Sequence, residues 1–151
     1  MTINMKELLS KPVDDVKRPP PMPTGTYYGI ISGYKYVETA WVNNETGEKD
    51  AQVRYSIRNL DPQGIDESLF EEIDLTKVGL NADLPLTGGN EYVTKEFLEN
   101  LGVDTHGKGW MEICPEAVGQ EVMFDVHHRM NKESPEAPPF VSARNLRKKP
   151  D

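Results

Sequence analysis

The chain has 151 residues, 36% hydrophobic and 28% charged, which suits one compact domain and leaves little room for a second. Its apolar runs fall far short of the roughly 18 residues needed to cross a bilayer, and the opening MTINMKELLS has no apolar signal region. Together with a lone cysteine, Cys114, that has no internal disulfide partner, this excludes a disulfide scaffold and predicts a cytoplasmic protein without a membrane role.

The net charge of −8 speaks at first against a phosphate-bearing partner, because binding phosphates draws on clustered Lys and Arg. Its distribution is uneven, however: residues 1–60 carry +1, residues 61–120 carry −10 and residues 121–151 carry +1. Potential is a local property of a surface, so an acidic middle segment is compatible with a neutral or basic face built from the two ends.

Residues 1–25 join a short amphipathic stretch, MKELLS, to a proline-rich run, and read as an N-terminal arm in extended geometry, with the main domain at 26–149. From Thr26, TYYGIISGYKYV is dense in aromatic and β-branched residues, and the spacing of Gly29 and Gly33 predicts a bent or bulged first strand. VNNETGEKD reads as a hairpin loop. AQVRYSIRNL then alternates strictly, with Val53, Tyr55 and Ile57 on one face and Arg54, Ser56 and Arg58 on the other.

DPQG has the composition of a turn, and SLFEEIDL is expected to form a third strand near residue 68, with Leu69, Ile73 and Leu75 on one face and Phe70, Glu72 and Asp74 on the other. VTKEFLENLG predicts a helix over 94–101, with Thr94 as N-cap, a Val93–Leu98 staple and Gly102 as stop. A second, shorter helical turn is expected at CPEAVG, with Pro115 in its first turn. Two strands close the chain, QEVMFDVHHRM and PFVSARNLRK, separated by NKESPEAPP.

Three strands, a helix and two strands are the order of the OB-fold, a five-stranded Greek-key barrel with its helix between strands three and four. The fold class expected is therefore mainly β with one or two short helices, and an α+β sheet of the same elements is the competitor. Three passages, PMPTGTYYGIISGYKY, FLENLGVD and AVGQEVMFDVHHRMNKE leading into FVSARNLRKK, resemble a phage-encoded family of small single-stranded DNA-binding proteins. The resemblance implies an OB barrel that coats single strands in replication or recombination, located in the host cytoplasm, homo-oligomeric, and in contact with replication or recombination proteins. Members of that family commonly end in an acidic tail that recruits partners. Here the end, RNLRKKPD, is basic.

Sequence-tolerant binding of single strands needs flat rings for stacking, interleaved with cations that follow the phosphates. Tyr34, Tyr36 and Trp41, at the end of the first strand and in the loop after it, are the first candidates, although the two tyrosines would equally serve to close the barrel. Arg54 and Arg58 share one face of the second strand, with Phe70 expected beside them; cross-strand pairing with carboxylates is the competing role for the arginines. Arg129, Lys132 and Arg144 begin a basic strip that runs on through Arg147, Lys148 and Lys149. His106, Cys114, His127 and His128 lack the spacing of a zinc site, and no nucleophile–base pairing or catalytic motif stands out, so neither an enzyme nor a metal or other cofactor is expected. The alternative function is an acidic interaction or DNA-mimic module that presents residues 61–120 to a basic partner, and a structural role in a virion is a weaker third.

Overall fold

A computed structural model describes residues 4–10, 20–130 and 139–150 of the chain. Five antiparallel strands form one sheet in the order β3-β2-β1-β4-β5: β1 Gly25–Val42, β2 Lys49–Gln63, β3 Leu80–Pro85, β4 Glu121–Arg129 and β5 Phe140–Lys148. Helix α1 spans Met5–Ser10, and between β3 and β4 the chain forms α2, Glu91–Asn100, and α3, Trp110–Ile113, followed by a 3-10 turn at Cys114–Ala117. Among the described residues no helix is long and apolar enough to cross a membrane.

The alternation of small period that marks strands also selects the core. Val53, Tyr55 and Ile57 of β2 and Val122, Phe124 and Val126 of β4 are buried on one side of the sheet, with Tyr27 and Ile31 of β1 between them. Tyr27 stacks on Phe124 at 5.9 Å and donates its hydroxyl to the Pro23 carbonyl at 2.6 Å, and burial pushes that hydroxyl's pKa up to about 12. Helix α2 closes this side: Leu98 is fully buried, Phe97 leans on Tyr55 at 6.1 Å, and the Tyr55 hydroxyl donates to the Cys114 carbonyl at 2.8 Å. The buried Met22 lies within residues assigned to the arm, and its carbonyl accepts a hydrogen bond from His128 Nε2, so the packed domain starts before Thr26. Residues 11–19 of the arm lie outside the described residues.

The third strand is not where alternation placed it. SLFEEIDL forms a 3-10 turn at Glu67–Phe70 and further turns, because Asp66 accepts the Ser68 backbone N–H at 2.9 Å and Asp74 accepts the Thr76 N–H at 3.0 Å, local bonds that compete with a strand ladder. Strand β3 is LNADLP instead, with Ala82 and Leu84 buried and Asn81 and Asp83 outside. Helix α2 begins at Glu91 after Asn90, so Thr94 is not its cap. Thr94 is buried inside the helix and donates its hydroxyl to the Pro85 carbonyl, tying α2 to β3, and Val93 is 41% exposed and forms no staple. Gly102, at φ +93°, takes the left-handed conformation that ends α2.

Candidate functional site

Strand β1 lives in two environments. Its residues from Gly25 to Ile30 pair with β4 on one side, and from Thr26 on, with a bulge at Gly29, they pair with β2 on the other. At Ile31 the chain around Gly119 and Gln120 makes the last bonds on the β4 side, and from there to Val42 the pairing recorded for β1 is with β2 alone. Residues 32–42 of β1 thus form an arm of the strand paired on one edge only, while their β2 partners Gln52–Ser56 pair on the other side with β3. A register shift between Ile31 and Gly33 sets the direction of its side chains.

Because of that shift, Tyr34 stands opposite Tyr55, and Tyr36 opposite Val53. The two tyrosines therefore share the face of the fully buried Tyr55 and Val53, yet on this stretch of β1, paired on one edge only, they are 40% and 43% exposed. Their rings meet edge to face at 5.7 Å and 70°. The Tyr36 hydroxyl donates to the Trp110 carbonyl at 3.3 Å; partial burial, then the neighbouring Cys114 thiol and Tyr34, raise its pKa, so it stays a neutral donor at pH 7. Trp41 is 72% exposed near the tip. The tip is braced by Asp50, whose carboxylate accepts from Asn43 Nδ2 at 3.2 Å and from the Thr87 hydroxyl at 3.1 Å, while that hydroxyl accepts the Ala51 N–H.

The cations expected beside these rings stand on the other face. Lys35 pairs across to Arg54, and Arg54 forms a bidentate ion pair with Asp83 of β3 at 2.7 and 3.0 Å. Arg58 is exposed, opposite Ile30, and makes no ion pair among the described residues. Phe70 does not lie beside the arginines on a strand face: it is half-buried at the opposite end of β1, its ring edge-on to Tyr27 at 6.2 Å. The aromatic and cationic candidates thus do not share one groove.

The C-terminal strip is partly neutralised within the sheet. Asp125 of β4 accepts from Thr26 Oγ1 at 2.9 Å, Asn145 Nδ2 at 3.2 Å and Arg147 Nη2 at 3.3 Å. Partial burial works to raise its pKa, but these three donors and the Arg147 charge outweigh it and hold the carboxyl below the usual range. Lys149 lies 3.6 Å from Glu121 and 5.0 Å from the Tyr28 ring. Arg129 sits over Phe140 at 5.4 Å, Arg144 is exposed opposite Asp125, and Lys132 lies outside the described residues. Among the described residues no cluster of His, Cys, Asp or Glu could hold a metal ion.

A groove that sequence reasoning passed over adjoins the tyrosines. Lys95, Thr105, Lys108, Gly109, Trp110 and Ile113 line about 290 Å³ between α2 and α3. The signal for it was present in THGKGW, where a cation and a large ring are interleaved with glycines. No family model matches the chain, and no curated protein sequence does.

Proposed function

We propose that this protein binds single-stranded DNA without catalysing a reaction, and that its sheet is an OB-type Greek-key barrel with α2 between the third and fourth strands. The barrel reading is supported by β1, which pairs with both β2 and β4, and by the approach of β3 to β5, the two ends of the strand order. The DNA reading is carried by the exposed Tyr34–Tyr36 pair. Two rings on the strand that leads into the first inter-strand loop, one of the loops OB folds use for ligands, offer stacking surfaces of about 1 to 3 kcal/mol per base.

The acidic charge is compatible with this reading because of where part of it sits. Asp66, Glu67, Glu71, Glu72 and Asp74 belong to the β2–β3 connection, whose Phe70 packs on Tyr27. At roughly 3.3 Å per strand residue, Tyr36 stands about 30 Å along β1 from Tyr27, several times the screening length of ~8 Å at physiological salt.

The test is fluorescence anisotropy with labelled oligo-dT at low salt. The wild-type chain is expected to bind, more weakly as salt rises. The double variant Tyr34→Ala/Tyr36→Ala is expected to lose about tenfold or more in affinity, since each lost stack is worth at least ~1 kcal/mol. Absence of wild-type binding at low salt refutes the function, and unchanged binding by the double variant refutes the site.

A further inference from the structure

The acidic middle of the chain holds three basic residues, Lys77, Lys95 and Lys108. Lys77 is 3.8 Å from Asp74 and belongs to a local turn. The other two make no ion pair among the described residues, and both line the groove that ends on Trp110. In a segment of net charge −10, the two cations without a carboxylate partner thus converge on one aromatic-walled groove, which is the pattern a phosphate attached to a planar ring would select.

We infer that this groove takes one nucleotide of a bound strand, the base against Trp110 and the backbone phosphate between Lys95 and Lys108. Its volume of about 290 Å³ is near the lower limit of small-ligand pockets, ~300 Å³. Glu99 and Asp104 line the adjoining groove, which shares Lys95 and Thr105, and their charge favours the phosphate on the Trp110 side. The Tyr36 hydroxyl on the Trp110 carbonyl joins the groove to the tyrosine pair, so a strand stacked on Tyr34 and Tyr36 continues into it. The inference rests on the single-strand reading above and extends its track from β1 to the α2–α3 connection.

Trp41→Phe keeps a ring at the hairpin tip and leaves Trp110 the sole tryptophan, so its emission reports on the groove alone. In this background, oligo-dT is expected to quench Trp110 in step with anisotropy. Adding Lys95→Ala and Lys108→Ala should abolish the quench, lower affinity about tenfold and flatten the slope of log affinity against log salt by about 0.7, the share of the one phosphate the two lysines hold. Thermal melting of the lysine variant, expected to match its parent because both side chains are exposed, separates loss of the site from loss of the fold. If oligo-dT binds by anisotropy while Trp110 emission stays constant, or if the lysine variant quenches like its parent, the groove is not part of the track although the tyrosine reading stands. If no oligonucleotide binds, both fail.

Discussion

Tyr27 and Tyr36 lie on the same strand and on the core side of the same sheet, yet one is fully buried and the other 43% exposed. The difference comes from their neighbours. Tyr27 lies where β1 is paired on both edges, capped by Phe124, Phe70 and the Pro23 carbonyl. Tyr36 lies where β2 continues but β4 has turned away, with Tyr34 and the Trp110 carbonyl as its partners. One residue type is thus enclosed at one end of β1 and partly exposed at the other, where the doubly paired root gives way to an arm held by β2 alone.

The sharpest way to break this comparison is to remove each ring in turn. Tyr27→Ala is expected to cost about 3 to 5 kcal/mol, the range for deleting a buried aromatic. Tyr36→Ala should cost less, about 1 to 2 kcal/mol, because a 43% exposed ring loses one hydrogen bond and one ring contact but leaves no closed cavity. Urea unfolding followed by circular dichroism measures both, and equal costs would erase the distinction between root and arm.

A smaller effect is expected at Gly29, inside the root. A Cβ there would stand 2.5 Å from Ile57 Cγ2, 3.2 Å from Phe124 Cε1 and 3.3 Å from the Arg58 carbonyl, all on buried or backbone groups with little freedom to yield. Gly29→Ala should destabilise by about 1 to 3 kcal/mol through overpacking. Gly33, in the arm, has open space in the same position, so Gly33→Ala serves as the neutral control in the same denaturation series.

How far all this was legible in the sequence follows from the same physics. The strands at AQVRYSIRNL and QEVMFDVHHRM carry strong alternation, and so they were readable; FVSARNLRK, without alternation, was placed by its position after the loop. LNADLP was not, because it is short and half of it is Asn, Asp and Pro, residues depleted in strands; its sheet position rests on Ala82 and Leu84 facing the core. Missing it also hid Asp83, the partner that occupies Arg54. SLFEEIDL alternates as a strand would, but Asp66 and Asp74 bond their own backbone instead. The tyrosines were readable as candidates. Their face was not, since strict alternation from Ile31 puts them opposite the core, and the register shift after Ile31 returns them to it.

The smallest effect sharpens the comparison through pH. Asp125 of β4 ties the root to the outer strand on its side: it accepts from Thr26 of β1 and from Asn145 and Arg147 of β5. Since its folded pKa lies below the ordinary 3.8, its contribution is complete above that value and fades as the pH falls through the lower folded one. Asp125→Asn should therefore lose about 1 to 2 kcal/mol at pH 7, the worth of charge-assisted bonds in a partly exposed site, and should converge with wild type in acid. Hydrogen exchange distinguishes the regions. The substitution should speed exchange in residues 25–30 and in β4, while residues 33–38, held by β2 and remote from Asp125, keep their rates. Faster exchange in the arm as well would mean that root and arm open as one unit, and the division of labour along β1 would fail.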